Sequence, residues 1–94
     1  MTLQELFSDE SKWTQGVSAR TAYGDAVSPR DKDATCWCLV GGMEKCYSHL
    51  GQGAFLEVKY KLYGATLDYQ LVEWNDDINR TFADVQRAVR EANV

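Results

Sequence analysis

The three cysteines and the only histidine of this chain would imply the most specific chemistry if they lay close together. They are Cys36, Cys38, Cys46 and His49, the composition of a three-cysteine, one-histidine zinc site. The spacing argues against such a site. On a continuous helix, which rises about 1.5 Å per residue, Cys36 and Cys46 lie about 15 Å apart, whereas ligands of one ion must converge within about 4 Å. The sequence therefore favours buried structural cysteines and predicts no metal site and no cofactor.

A nucleophilic cysteine needs a base within hydrogen-bond reach, and here the base would have to be His49. Cys46 and His49 are three residues apart and hence neighbours on a helix, which makes a small enzyme or a ligand-binding domain the alternative function. Against it, cysteine is among the most often buried residue types. A histidine in the last helical turn also stabilises the helix dipole without doing chemistry. We therefore expect a protein that is not an enzyme.

The densest group of acids lies in the C-terminal third of the chain. Its members are Glu73, Asp76 and Asp77, with Asp68 and Asp84 nearby. Paired carboxylates occur in hydrolases and in divalent-ion sites, but Asn and Asp side chains in turns more commonly bind the local backbone. We expect this local role for Asn75 and Asp76, and we expect an Asp76–Arg80 pair that holds Trp74 in the core. Glu73, Asp76, Asp77 and Asp68 are also candidate partner-binding residues.

Tyrosines and lysines alternate in the stretch after residue 58. Tyr60, Tyr63 and Tyr69, with Lys59 and Lys61, would suit base stacking on single-stranded nucleic acid. However, the chain has fourteen acids against ten bases and a formal charge of -4, which disfavours direct binding to nucleic acid or to an anionic membrane. Tyrosine is also common at protein interfaces. Tyr60 and Tyr63 are therefore candidates for contact with a protein partner.

The element expected to position these side chains is a central helix over residues 33–50. At about 100° per residue, one face of that helix is apolar. The face comprises Cys36, Leu39, Val40, Met43, Cys46, Tyr47 and Leu50. Cys38, Gly41 and Gly42 lie opposite, and glycines weaken a helix unless another part of the chain packs close to them. The pattern predicts a helix that is covered on both sides.

Two elements are predicted before the central helix. Thr2 and Glu5 have the spacing of a capping box, which predicts a first helix over about residues 2–12. Apolar and polar residues then alternate up to a Gly24-Asp25 turn, and this pattern predicts a short N-terminal β-hairpin over about residues 17–27.

Two further segments follow the central helix. Residues 54–63 fit both a strand and a helix, and the residues alone slightly favour the strand. Thr81 and Asp84 repeat the capping-box spacing and begin a C-terminal amphipathic helix over about residues 81–92. The predicted fold is a small, mostly helical α+β protein, and its 94 residues are enough for a single domain.

The chain contains no run of 18 apolar residues, so no membrane span is expected. Acids at Glu5, Asp9 and Glu10 do not fit a secretory signal. The odd number of cysteines does not fit a disulfide framework. The expected location is the cytoplasm.

Several blocks of this sequence resemble a family of small uncharacterised bacterial and phage-borne proteins. The blocks are Trp13-Thr14-Gln15-Gly16, Trp37-Cys38-x-x-Gly41-Gly42, Trp74-Asn75-Asp76, Arg80-Thr81 and Asp84-Val85. That family shows a central Trp-Cys-x-x-Gly-Ala block and a C-terminal Trp-Asn-Asp, Arg-Thr, Val series. The resemblance implies a helix at residues 54–63 but no activity. The chain departs from the pattern at Gly42 and at Asp77-Ile78-Asn79, where a shorter glycine turn is typical.

The function expected from these observations is a non-enzymatic protein-interaction module. Because the resembling proteins occur partly on phages, one version is a phage-type inhibitor of a host defence complex, similar in logic to anti-CRISPR proteins. Its carboxylates would imitate phosphates against the basic groove of a nucleic-acid-handling complex. The alternatives are the small enzyme or ligand-binding domain described above and a homo-oligomeric structural subunit.

Overall fold

A computed structural model describes residues 1–94. The α-helices are α1 (Leu3–Leu6), α2 (Leu39–Tyr47), α3 (Gln52–Thr66), α4 (Leu71–Asp76) and α5 (Phe82–Ala92). The strands are β1 (Ala19–Thr21) and β2 (Ala34–Trp37), and single 3-10 turns lie at Glu10–Lys12 and Ser48–Leu50. The predicted fold class, α+β and mostly helical, is confirmed. No helix has the length and apolar character needed to cross a membrane.

The prediction of one helix over residues 33–50 is wrong in its first part. Residues Ala34–Trp37 are extended and pair with β1, so the helix begins only after Cys38. The extended segment forms hydrogen bonds that it could not form as a helical turn. In one of them, Thr14 N donates to the Trp37 carbonyl at 3.0 Å. The buried Trp37 indole also donates to the Pro29 carbonyl at 2.9 Å. Cys36 therefore belongs to the sheet and not to the apolar face of α2.

The predicted hairpin over residues 17–27 has the right first strand but the wrong partner. β1 pairs with β2 in an antiparallel register that joins Ala19 to Trp37 and Arg20 to Cys36. Only an isolated bridge joins Arg20 to Ala26, although Gly24 turns the chain as expected. The ladder along 26–27 ends where Pro29 follows, because proline has no N–H to extend it.

The close packing predicted at Gly41 and Gly42 is confirmed. A Cβ atom on Gly41 would lie 2.0 Å from the Ser18 carbonyl oxygen, and one on Gly42 would lie 2.9 Å from the Phe7 ring. The glycine side of α2 is therefore covered by the chain entering β1 and by the side chains of Leu3 and Phe7. Further helices, α3 and α4, also pack against α2, while α5 packs against α3.

The remaining elements divide between confirmed and corrected predictions. The capping boxes of Thr2 and Thr81 are both present, and α5 begins directly after Thr81. The first helix is shorter than the predicted range 2–12, because α1 ends at Leu6 and residues 10–12 form a separate 3-10 turn. Residues 54–63 are helical, as the family resemblance implied and against the slight strand preference of the residues alone.

Candidate functional site

Asn75 lies at the centre of a polar network that joins distant parts of the chain. Its side chain is fully buried, and its Oδ1 accepts from the Trp13 indole at 2.7 Å and from Leu39 N at 3.0 Å. Its Nδ2 donates to the Thr14 carbonyl at 3.1 Å and to an Asp76 oxygen at 2.9 Å. The amide uses both acceptor positions and both donors. The prediction that the Asn75 side chain binds local backbone is therefore wrong, because its backbone partners are Leu39 N and the Thr14 carbonyl.

The neighbours of Asn75 complete this network. Gln15 Nε2 donates to the carbonyls of Asn75 and Asp77 at 2.8 and 3.0 Å. Gly16 N donates to the Asp76 carboxylate at 2.9 Å. We call residues 13–16 with Leu39, Asn75 and Asp76 the Asn75 network. It ties together all three tryptophan-containing blocks that carry the family resemblance, and no buried side-chain polar atom of the chain lacks a partner.

Arg80 holds Trp74 without the help of Asp76. The guanidinium lies 4.0 Å from the centroid of the Trp74 ring, and its Nε donates to the Trp74 carbonyl at 2.7 Å. Its ion-pair partner is Asp84, at 3.8 Å. The predicted Asp76–Arg80 pair is wrong because the Asp76 carboxylate is directed to Gly16 and Asn75 instead.

The predicted acidic candidates lie on α4 and the loops at its two ends. Asp68 accepts from Gln70 N at 2.7 Å and Asp77 accepts from Asn79 N at 2.8 Å, and Asp76 belongs to the Asn75 network. Glu73 forms no hydrogen bond or ion pair through its carboxylate. These acids do not converge, and no three acidic, thiol or imidazole groups lie close enough to hold a metal ion.

The three thiols are separated, and all of them are free. The Cys38 Sγ caps α2 by accepting from Gly41 N at 3.2 Å. Burial raises the pKa of the Cys38 thiol above its ordinary value, and it does the same for Cys46 in the core. His49 lies exposed in the 3-10 turn after α2 and makes no hydrogen bond to Cys46. The Cys46–His49 contact on which the alternative, enzymatic function would depend is therefore not formed through a hydrogen bond.

The predicted tyrosines do come together. The Tyr63 ring lies 5.9 Å from Tyr60 and 5.1 Å from Tyr69 between centroids, both edge to face. Tyr60 is 64% exposed and Tyr69 is 79% exposed. Leu67 and Val72 extend the exposed apolar area. We call these five residues the tyrosine surface.

Leu67 and Val72 were not among the sequence-based candidates. A helix through residues 52–66 places Tyr60 and Tyr63 on one face, with Leu67 one turn further on at the spacing i, i+3, i+7. That signal could have identified Leu67 once the helix was accepted over the strand. Val72 carried no comparable signal, because its exposure depends on how α4 packs.

Two hollows flank the ring pair of Tyr63 and Tyr69. The first has a volume of about 350 Å³, with Glu44 and Lys59 as its charged members. Its apolar lining, besides the two rings, is Val40, Met43, Phe55, Leu71 and Val72. The second hollow, of about 420 Å³, is lined by Tyr60, Gly64 and Leu67 in addition to the same two rings. The tyrosine surface is therefore not flat but has a hollow on each side of the ring pair.

A model described as Family of unknown function (DUF6197) matches residues 3–93. The chain belongs to this family. Membership confirms the coarse part of the resemblance, an uncharacterised family that covers almost the whole chain. No curated protein and no solved structure matches the chain. Because the family has no known activity, the function has to be argued from the residues themselves.

Proposed function

We propose that this chain is a non-enzymatic module that binds a protein partner through the tyrosine surface. The observation that carries the proposal is the contiguous exposure of Tyr60, Leu67, Tyr69 and Val72 beside an apolar hollow. Contiguous exposed apolar surface marks interaction sites on soluble proteins. Tyrosine suits such sites because a large ring is immobilised at a small entropic cost.

Leu67 supports this proposal through two features that are unfavourable for folding. Its side chain is 92% exposed. Its backbone has a φ of 57°, the left-handed conformation at the C-terminus of α3. Glycine and asparagine suit that position, and a leucine there destabilises the fold by about 1 kcal/mol. A role in recognition explains a leucine that folding does not need.

A narrower form of the proposal includes the acidic residues. In it, the protein is a cytoplasmic, phage-type inhibitor that places carboxylates against a basic groove of a nucleic-acid-handling host complex. The formal charge of -4 and the resemblance to phage-borne proteins support this form. Glu73 is the residue on which the mimicry depends most, because Asp68, Asp76 and Asp77 already bind backbone N–H groups.

Affinity capture with matched variants tests the proposal. Tyr69→Ser should weaken partner capture by about tenfold or more, the loss typical of an interface hot spot. Tyr23→Ser is the control, because Tyr23 is similarly exposed but lies on the turn after β1. Equal capture by both variants would contradict the proposal.

The acidic form has its own pair of variants. Glu73→Gln should weaken capture, and added salt should reduce the difference from the unmodified chain. Glu10→Gln, on the 3-10 turn near the N-terminus, is the control. Capture that is indifferent to Glu73→Gln and to salt rejects the mimicry and leaves the interaction proposal in place.

Thiol labelling tests the alternative of a cysteine-dependent enzyme. Because burial raises the pKa of Cys46, its thiolate population near neutral pH is small and we expect slow alkylation in the folded protein. Cys36 is less buried and should react first. Rapid reaction of Cys46 near neutral pH would instead favour the enzyme.

A further inference from the structure

We infer that the partner on the tyrosine surface is a second copy of this chain, bound as a two-fold symmetric dimer through a projection and a hollow on the same face. This inference rests on the proposed function, because it uses the same surface and names the occupant.

The projection is Leu67. It follows the last residue of α3, and its left-handed backbone directs the chain out of the helix while the side chain remains almost fully exposed. Nothing within the chain covers this side chain. It is therefore an apolar group that can be buried only by another molecule.

The complementary feature is the first hollow, whose volume of about 350 Å³ exceeds what a leucine side chain needs. The aliphatic and aromatic side chains that line it include Val40, Phe55 and Val72. Burying a leucine side chain in such apolar surroundings is favourable. The same face of the molecule therefore carries both an apolar projection and a place that accepts one.

The arrangement of the two features permits a reciprocal exchange across a two-fold axis. The hollow and the region around Leu67 share only Tyr63 and Tyr69, so this ring pair separates them. In a two-fold interface, residue i of one copy contacts residue j of the other and the reverse contact also forms. An axis near the ring pair would place each Leu67 at the hollow of the other copy.

The charges on the two sides of the ring pair are compatible with this exchange. Lys59 lies at the wall of the hollow, with its ammonium 5.9 Å from the centroid of the Tyr63 ring. Asp68 follows Leu67, and neither of these charged groups forms an ion pair within the chain. The exchange brings each Lys59 towards Asp68 of the other copy. Glu44 also lines the hollow.

A typical specific interface buries about 800 Å² on each partner. The side chains of Tyr60, Leu67, Tyr69 and Val72 are all more than half exposed and contribute to such an area.

Sedimentation equilibrium on the purified chain tests the inference, at concentrations up to about 1 mM, the weak end of specific affinity. We expect a dimer. Leu67→Gly removes the projection and Val72→Ser alters the hollow, and each should raise the dimer dissociation constant by about tenfold or more. Ile78→Ser is the control, since Ile78 is as exposed as Leu67 but lies in the loop after α4, and its dimer should be unchanged.

Leu67→Gly also separates loss of the dimer from loss of the fold. Glycine suits the left-handed position, so urea unfolding at concentrations where the chain is monomeric should show equal or higher stability for this variant. A chain that stays monomeric throughout, or a dimer that tolerates both variants, overturns the inference. In the monomeric case, loss of capture of a different protein by Tyr69→Ser would retain the proposed function, whereas capture indifferent to Tyr69→Ser would remove both.

Discussion

The Asn75 network and the tyrosine surface are opposite in every physical respect. Asn75, at the centre of the network, is buried and polar and has a partner for each donor and acceptor of its side chain. The tyrosine surface is exposed and apolar, and its hollows are unfilled within the chain. The first region is fully explained by folding. The second is not, which is why the proposed function is placed there.

This difference reverses the usual expectation from residue types. Asparagine, aspartate and cysteine attract attention as chemical groups, yet Asn75 and Asp76 join chain segments and Cys38 caps α2. Tyrosine and leucine are read as core residues, yet Tyr69 and Leu67 lie outside. The proposed function therefore rests on exposed, unfilled apolar surface and not on residue chemistry.

The variant expected to have the largest effect is Asn75→Asp. The introduced oxygen would replace a donor, so it would face the Thr14 carbonyl and the Asp76 carboxylate as a third acceptor. We expect the free energy of unfolding to fall by about 3 kcal/mol or more, because a charge is buried and its second oxygen faces two acceptors with no donor. Urea unfolding at pH 7 measures the loss.

The pH dependence of that variant provides an internal control. The folded state disfavours the charged carboxyl, so its pKa is raised on folding. Stability should therefore be greater at low pH and be lost as pH rises through the raised pKa. A loss relative to the unmodified chain that does not shrink towards acidic pH would show that the Asn75 network is not what holds these segments.

A second, smaller loss is expected at Gly41. In Gly41→Ala the added methyl would collide with the backbone of Ser18, and we expect a loss of about 2 to 3 kcal/mol from overpacking. Gly64→Ala in α3 is the matched control, because nothing lies within 4 Å of its new methyl group. That control should gain about 0.5 to 1 kcal/mol from helix propensity, as thermal unfolding can show. Similar effects of the two variants would contradict the close approach of α2 to β1.

Local signals in the sequence predicted the local parts of the fold. The capping boxes at Thr2 and Thr81 depend on residues three positions apart, and both were found. The close packing at Gly41 was also predictable from residue type alone. Glycine destabilises a helix, so a glycine within one suggests that a neighbouring segment packs too closely for a side chain. The candidate tyrosines were likewise identified, although the helix that aligns them was not certain from the residues.

The errors come from pairings over long distances in the chain. Residues 34–37 are extended because residues about 15 positions earlier supply the neighbouring strand. Helical periodicity depends only on nearby residues and carries no information about that partner. Asn75 joins Trp13 across 62 positions, so its sequence neighbours suggest only a turn. Where tertiary hydrogen bonds determine the conformation, the residue pattern of a short segment predicts a helix that is too long.

A third effect, smaller again, concerns the acids. Asp76→Ala removes the acceptor of Gly16 N and of Asn75 Nδ2, and we expect a loss of about 1 to 2 kcal/mol from the unpaired donors. Glu73→Ala, three residues earlier in α4, should change stability by less than about 0.5 kcal/mol, because the Glu73 carboxylate has no partner within the chain. Chemical denaturation of both variants compares them. A neutral Asp76→Ala would mean that its carboxylate is available to a partner after all.

The smallest effects on stability are expected on the tyrosine surface. Tyr60→Ser and Tyr69→Ser each remove one edge-to-face contact with Tyr63, so the monomer should lose less than about 1 kcal/mol. Unfolding at a concentration below the dimer dissociation constant measures this term without a contribution from association. A loss as large as that of Asn75→Asp would show that these rings belong to the core, and the contrast between the two regions would disappear. A small loss together with weakened binding would assign the rings to recognition, because folding would then have little use for them.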